Sequence, residues 1–278
     1  MKSRRRSGTQ SIERTVRLLK ELAARGELGW RLLDLSVQCG LDRGTTHRLL
    51  ACLLRERLVQ QDAENRRYFP GPLMFELGLS LPARAGFVAA CGAPLNRIAK
   101  RLGGTALLYL RSGFEFVCAA RAGAAIKALT IDVGTRRPLI QSVGGVAMLI
   151  AMPRDEARAV IAQNRRRAAR FGVTRVRSLE RVVRQSESRG YAISQGEIVP
   201  GVSAYGVAVC DADQVPFASV SVVGSAEDFP SSRVAAVIEI LRHEAGSIAR
   251  LAAQHVGQRR RREAVGLVED GYFVRPQT

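Results

Sequence analysis

The chain has 278 residues, 46% of them hydrophobic and 24% charged, which fits about two folded domains and excludes a chain that is disordered throughout. Lysine and arginine number 43 against 25 acidic residues, a net charge of +18 that favours a polyanionic partner, although an arginine-preferring genome produces the same excess. No apolar run approaches the ~18 residues of a membrane span, and no apolar segment follows the basic N-terminus as in a signal peptide. We therefore expect a cytoplasmic protein without a membrane segment.

The first residues predict a flexible basic arm and then one amphipathic helix. Residues 1–10 are polar and include three consecutive arginines from Arg4. These arginines either contact DNA phosphates weakly or belong to a solvated tail. Apolar side chains recur at helical spacing from Ile12 to Ala23, and we expect this helix to end near Gly26.

Two further helices are predicted to meet at a tight turn. Residues 30–39 form the second helix, and Gly40 is placed as its left-handed C-terminal cap. Asp42 can accept hydrogen bonds from the free amides that begin a third helix, over residues 43–57. A β-hairpin with a charged tip is predicted next, its two strands being residues 58–61 and 67–69.

The third helix is predicted to have one apolar and one polar face, since successive residues of an α-helix are rotated by ~100°. The inner side carries Thr46, Leu49, Leu50 and Leu53, and the outer side carries Gly44, Arg48, Ala51 and Arg55. A helix, a turn, a second helix and a β-hairpin form a winged helix-turn-helix, whose second helix fits the major groove. Arg48 could donate two hydrogen bonds to a guanine, and Thr45 or His47 could reach a base edge or a phosphate.

The predicted DNA contacts are therefore Arg43, Gly44, Thr45, His47, Arg48, Arg66 and Arg67. The plain alternative is that these are solvated side chains on a small helical domain, since exposed faces are usually charged.

A helix is predicted over 73–81 and a domain boundary over 82–86. They separate the winged helix-turn-helix from a larger second domain that contains both strands and helices. Strands are predicted at 105–110, 114–120, 126–133, 202–210 and 215–223, and helices at 87–102, 143–152, 155–162, 179–189 and 231–255. The fold class is α+β, with a sheet covered by helices. The divisions are a basic flexible arm at 1–10, the winged helix-turn-helix at 11–72, a linker helix at 73–84, a second domain at 85–257 and a basic tail at 258–278.

Residues 11–79 resemble the DNA-binding domain of the isocitrate lyase regulator (IclR) family of bacterial transcription factors. The matching segments are Ser11-Ile12-Glu13-Arg14, Gly40-Leu41, Thr45-Thr46-His47-Arg48-Leu49-Leu50 and Tyr68-Phe69-Pro70-Gly71-Pro72, and the similarity continues through Arg189-Gly190-Tyr191, Val199-Pro200-Gly201-Val202 and Ser219-Val220-Ser221. Asp42, Gly44 and Thr46 stand where the family often has Pro, Ser and Val. These differences concern the choice of DNA target more than the fold.

The resemblance implies a linker helix leading to a GAF-like mixed α/β domain that binds an effector. It also implies a homodimer, with dimers pairing into tetramers, on a double-stranded DNA operator. In family members with a small organic acid bound, the ligand lies between the sheet and the segment matching residues 144–146. Carried over position by position, the effector-binding residues are Gly145, Val146, Ser194, Ala204, Ser221 and Val223.

The implied effector is a small carboxylate. Exposed amides at the start of a helix near Gly145 could bind it through the helix dipole, and the Ser221 hydroxyl could add a hydrogen bond. The family has an acid at Ser194, a cysteine at Ala204 and a serine at Val223, so we expect a less polar pocket suited to a larger or aromatic acid. The alternative is that effector binding is lost, or that the small residues only allow close packing.

No cofactor, metal or catalytic group is predicted. The glycine pairs lack the spacing of a nucleotide-binding loop, the three histidines do not cluster, and no serine has a nucleophile setting. Arginine runs at residues 165–170 and 259–262 are interpreted as solvated surface. Two hypotheses stay open beside a regulator, namely a nonspecific nucleoid-type protein and, last, an enzyme using the second domain. Reduced thiols are expected of the five scattered cysteines, which are Cys39, Cys52, Cys91, Cys118 and Cys210.

Overall fold

The computed structural model describes residues 9–124, 126, 130–168 and 173–269. Its N-terminal domain contains three helices and a two-stranded hairpin. These are α1 Gln10–Arg25, α2 Leu32–Cys39, α3 Arg43–Arg55, β1 Val59–Gln61 and β2 Tyr68–Pro70. One apolar core joins them, with Leu18, Leu22, Leu35, Leu50, Leu53, Val59 and Tyr68 among its buried members.

The helix–turn–helix geometry is confirmed at both caps. Gly40 has φ +60° and ψ +40°, a left-handed conformation that glycine adopts without strain, and its amide donates to the carbonyls of Ser36 and Val37. The second helix begins at Leu32 rather than at residue 30, because Trp30 instead pairs with Tyr68 in an isolated antiparallel bridge. The hairpin is thereby tied to the helical part of the domain.

The segment between the domains is more helical than predicted. α4 spans Pro72–Leu79, α5 spans Pro82–Ala90 and α6 spans Gly92–Leu102. The residues of the boundary predicted over 82–86 are helical, because Pro82 stands at the first position of α5, where a helix needs no amide hydrogen from it. The single helix predicted over 87–102 is likewise divided, at Cys91.

A six-stranded antiparallel sheet forms the centre of the second domain. Its strands are β3 Thr105–Ser112, β4 Glu115–Gly123, β5 Arg136–Pro138, β6 Ala192–Gln195, β7 Val202–Cys210 and β8 Pro216–Ser225, in the order β5-β4-β3-β8-β7-β6. The two hairpins predicted from turn residues, β3–β4 and β7–β8, are confirmed. Their strands therefore lie in the middle of the sheet.

Helices cover both faces of this sheet, as the α+β prediction required. α7 Val143–Ala151, α8 Arg154–Ala168 and α9 Val173–Arg189 lie on one face. The other face packs against α5, α6 and α10 Val234–Glu269. A 3-10 turn over Leu139–Gln141 follows β5, and only Ser142 separates that turn from α7.

Three predictions for this domain are corrected. The described residues within 126–133 contain no strand, and the chain pairs later, at β5. β6 was not predicted, since four residues are too few to show a clear alternation. The last helix does not end at residue 255 but continues to Glu269.

Some basic segments lie partly outside the described residues, namely most of the arm, the end of the tail and part of the run at 165–170. Within that run, Arg165 pairs with Glu180 on α9 at 2.8 Å. Across the described ranges, no single helix has both the length and the apolar character to cross a bilayer. α4 and the Pro82–Leu102 stretch pass that test only together, as a pair bent by 90°.

Candidate DNA interface and effector site

The third helix presents the two faces that its sequence predicts. Thr46, Leu50 and Leu53 are buried in the domain core, and the Thr46 hydroxyl donates to the Asp42 carbonyl at 3.0 Å. The opposite side is open to solvent. Its exposed residues are Arg43, Gly44, His47, Arg48, Ala51 and Arg55, and Thr45 is half-buried beside them.

The start of α3 is fixed by Asp42. The Asp42 carboxylate accepts a hydrogen bond from the Thr45 backbone amide at 2.8 Å, as predicted for an N-cap. This bond is the main reason that the pKa of Asp42 lies below its ordinary value. Arg48 in turn donates to the Thr45 hydroxyl at 3.2 Å. Asp42, Thr45 and Arg48 thus form one hydrogen-bonded group at the helix N-terminus, and His47 is exposed beside them.

The hairpin tip separates the two arginines predicted to contact DNA there. Arg66 is exposed and has φ +58°, so it stands at the point where the chain reverses. Arg67 is half-buried, and its guanidinium donates to the carbonyls of Leu28 and Gly29 at 3.0 and 3.3 Å. Part of the hydrogen-bonding capacity of Arg67 therefore holds the hairpin to the segment before α2.

The six predicted effector residues are brought to one side of the sheet. Ser194 on β6 lies opposite Ala204 on β7, which lies opposite Val223 on β8. Ser221 is two residues from Val223 and so shares its face. Val146 on α7 packs in the same core cluster, and all of these side chains are buried.

The expectation of exposed amides at the start of α7 is wrong at Gly145. The Gly145 amide donates to the Ser142 hydroxyl at 2.9 Å, because Ser142 is the N-cap of that helix. A Cβ added to Gly145 would collide with the Leu139 backbone. Gly145 therefore permits a close backbone contact here, and its amide hydrogen already has a partner.

Hydroxyl groups on this face differ in what they already bind. Ser194 donates to the Glu197 carboxylate at 3.3 Å and accepts from the Ile198 amide at 3.2 Å. Ser219 and Ser221 on β8 are fully buried, and neither hydroxyl has a hydrogen bond of good geometry within the described part of the chain. A buried polar group without a partner costs about 1–3 kcal/mol. Such groups are the available polar positions of this site.

Tyr109 and Ser219 belong to this site but were not predicted. A Cβ at Gly144 would lie within 2.9 Å of the Ser219 hydroxyl and would collide with the Tyr109 ring. Burial raises the pKa of the Tyr109 phenol, which lies close to Ser221 and stays neutral. The alternation of β3 and β8 could have indicated both residues, since Tyr109 pairs with Ser219 across the two strands.

The described residues contain no group of three or more His, Cys, Asp or Glu side chains able to hold a metal ion. None of the six predicted residues of this site is charged, and the carboxylate beside them is that of Glu197, which Ser194 contacts. A ligand there would be bound through hydroxyl groups and apolar contacts.

Both domains match models of known protein families. The IclR helix-turn-helix domain matches residues 11–63, and the C-terminal domain of IclR bacterial transcriptional regulators matches residues 83–250. The HTH-type transcriptional repressor AllR of Klebsiella pneumoniae is 27% identical over 245 residues, covering 87% of this chain and 89% of AllR.

Solved structures give the same fold. An IclR regulator from Alicyclobacillus acidocaldarius has a TM-score of 0.65 at 24% identity, covering 87% of this chain and 98% of its own. An IclR homologue from Microbacterium hydrocarbonoxydans, complexed with 4-hydroxybenzoate, has a TM-score of 0.62 at 20% identity, covering 88% and 100%. Since the C-terminal match alone spans more than half of the sequence, the chain belongs to the IclR family of bacterial transcriptional regulators.

Proposed function

We propose that this chain is a ligand-responsive transcriptional regulator that reads an operator through the outer face of α3. The observation that carries the proposal is the start of that helix, where the Asp42 cap holds Thr45, Arg48 donates to the Thr45 hydroxyl, and His47 and Arg48 are exposed. Arg48 can bind guanine O6 and N7 through two donors, and Thr45 or His47 can reach a neighbouring base edge or phosphate. Arg66 at the hairpin tip supplies a further phosphate contact.

The proposed effector is a small carboxylate, and an aromatic acid is favoured. The side chains at positions 146, 204 and 223 are apolar, while Ser219 and Ser221 offer hydroxyl groups that lack good partners. A flat apolar body with one polar group suits such a lining. The Microbacterium homologue, which binds 4-hydroxybenzoate, supports the same class of ligand.

Regulation would require the effector to favour one arrangement of paired DNA-binding domains over another. We infer that two chains place two α3 helices on a pseudo-palindromic operator in the cytoplasm, and that dimers pair into tetramers. The linker region supports a homodimer, because it leaves large apolar side chains open to solvent. They are Phe75, Leu77, Leu79 and Leu81.

A footprinting experiment separates this function from nonspecific nucleic-acid binding. A regulator protects a discrete site upstream of its target genes in excess competitor DNA, whereas a nucleoid-type protein coats DNA without a preferred position and with a steep salt dependence. Uniform protection would overturn the proposal. The effector is tested separately by thermal shift with 4-hydroxybenzoate, benzoate and glyoxylate, since a ligand that prefers the folded state raises the melting temperature.

A further inference from the structure

The two domains of one chain meet beside a cleft that no assigned activity explains. α1 of the DNA-binding domain contacts β5 of the second domain, and a cleft of about 990 Å³ lies beside this contact. One wall comes from α1, the end of α2 and Trp30, and the other comes from Glu115, the β5 segment and Gln163. The predicted effector residues are not among those that line it.

Positive charge predominates in the lining of this interdomain cleft. Its basic residues are Arg17, Lys20, Arg25, Arg136 and Arg137, and its acidic residues are Glu21 and Glu115. Both carboxylates already have partners, because Glu21 accepts from Gln38 at 2.8 Å and Glu115 accepts from Arg136 at 3.0 Å. A cleft with such an excess focuses a positive potential and raises the local concentration of anions.

The cations on the α1 wall have unused donors. Arg17, Lys20 and Arg25 are exposed, and none of the three forms a salt bridge with a described side chain. Arg17 uses one nitrogen to donate to the Cys39 carbonyl at 3.1 Å, which fixes the guanidinium at the cleft wall. The Arg25 guanidinium lies 4.2 Å from the centre of the Trp30 ring.

We propose that this interdomain cleft binds a small anion carrying two or more negative charges. Arg17 and Lys20 lie on one wall, and Arg137 lies opposite with Arg136, which also donates to Glu115. A monoanion would engage one wall only, whereas a polyanion can contact cations of both domains. Guanidinium groups hold carboxylate or phosphoryl oxygens with paired donors, and Lys20 adds a mobile charge. The ligand is thus a polycarboxylate or phosphorylated metabolite, recognised through its charge.

The position of the cleft gives its occupant a route to the DNA-reading helix. Val37, Gln38, Cys39 and Gly40 line it, and this turn leads directly into the Asp42 cap of α3. An anion that joins the walls would restrict how the helix–turn–helix sits on the second domain. This consequence rests on the proposed DNA-binding function, whereas the binding site itself does not.

Trp30 offers a direct test, because it is the one tryptophan in the sequence and it lines the cleft. Full-length protein is titrated with citrate, a tricarboxylate, and with acetate as the monocarboxylate comparison. We expect a saturable change of Trp30 emission with citrate, supported by calorimetry, and none with acetate at the same concentration. Absence of saturable citrate binding by both methods would overturn the proposal.

A matched pair of double variants locates the site. R17Q/K20Q removes two charges from the cleft wall, and K100Q/R101Q removes two exposed charges from α6 without touching the lining. Citrate affinity should fall about tenfold or more in R17Q/K20Q and stay unchanged in K100Q/R101Q. An equal loss in the two double variants would show only an effect of lower overall charge. K20Q alone guards against misfolding of the double variant, because Lys20 forms no hydrogen bond through its side chain with the residues that the structure describes.

The DNA consequence is measured with the same proteins. Operator affinity without citrate is determined first, and then with saturating citrate. Wild-type protein should change its affinity with citrate, and R17Q/K20Q should not. Citrate binding without any effect on operator affinity would support the binding site but refute its regulatory role. Citrate binding by a chain that shows no operator preference would instead count against the proposed function alone.

Discussion

Arg97 on α6 donates two hydrogen bonds to the buried carboxylate of Glu244 on α10, at 2.9 and 2.7 Å. This pair joins two of the three helices that cover the sheet face opposite the predicted effector site. The Glu244 side chain is 1% exposed, whereas that of Arg97 is 49% exposed. The carboxylate therefore depends mainly on Arg97, with His243 Nδ1 at 3.4 Å as a second contact, while water partly compensates the guanidinium.

Acid should weaken the second domain through this pair. The hydrogen bonds from Arg97 hold the pKa of Glu244 below its ordinary value. A depressed pKa in the folded state stabilises the fold fully above the unfolded-state value, and that contribution is lost as the pH falls through the folded-state value. The free energy of unfolding should thus drop as the pH falls below about 4.5, the ordinary pKa of glutamate, and the drop should be larger in wild-type protein than in Glu244→Gln.

Arg97→Ala should cost about 1–2 kcal/mol of unfolding free energy at neutral pH, a range that allows for solvent at the guanidinium. Urea unfolding measures this cost. Arg101→Ala, on an exposed position of the same helix, is the matched control and should change little. If the two variants behave alike, the pair contributes nothing to the stability of the domain.

Arg48→Ala should reduce discrimination between operator and random DNA by about 1–3 kcal/mol if Arg48 reads a base. The measurement is a pair of binding isotherms at fixed salt, one on operator and one on random duplex. Arg101→Ala again serves as the control for lost charge. An equal loss on both duplexes would make Arg48 a phosphate contact.

Asp42→Ala should lower both the melting temperature and the operator affinity, because the Thr45 amide loses its acceptor and the start of α3 frays. Asp42→Asn should restore most of both, since an asparagine side chain also caps helices. Circular dichroism and operator binding report the two effects. Should Asp42→Asn weaken DNA binding as much as Asp42→Ala, the carboxylate charge would matter more than the cap.

Two serine variants, one on β8 and one at the start of α7, should change stability in opposite directions. Ser219→Ala removes a buried hydroxyl without a good partner and should stabilise the chain by about 1 kcal/mol. Ser142→Ala leaves the Gly145 amide unpaired and should destabilise by about 1 kcal/mol. Urea unfolding of the ligand-free chain measures both. Destabilisation by Ser219→Ala of the same size would mean that its hydroxyl is satisfied in solution.

The local features of the DNA-binding domain followed from the sequence because each depends on a few neighbouring residues. Gly40 ends one helix and Asp42 begins the next, and the structure has both caps as predicted. The partners of Arg67 are the carbonyls of Leu28 and Gly29, about forty positions earlier in the chain. Such a contact has no signature in the local pattern.

In the second domain, the wrong predictions lie where a local sequence pattern fits two kinds of secondary structure. Pro82 resembles a linker residue yet begins α5, since proline suits a first helical turn as well as a loop. The apolar residues from 126 onward resemble a strand, but the chain pairs only at β5. The family resemblance supplied the effector residues on the sheet, whereas the register of β3 with β8 showed that Tyr109 and Ser219 lie beside them.

One stretch of the second domain connects the two sites argued above. β5, the 3-10 turn and the capped start of α7 follow one another over residues 136–145 without a loop, so Arg136 at the interdomain cleft and Gly145 at the effector site are ends of one stiff connection. We expect a displacement at one end to move the other, because regular secondary structure connects them. We therefore expect coupled binding: each ligand should change the affinity of the chain for the other, and by the same factor.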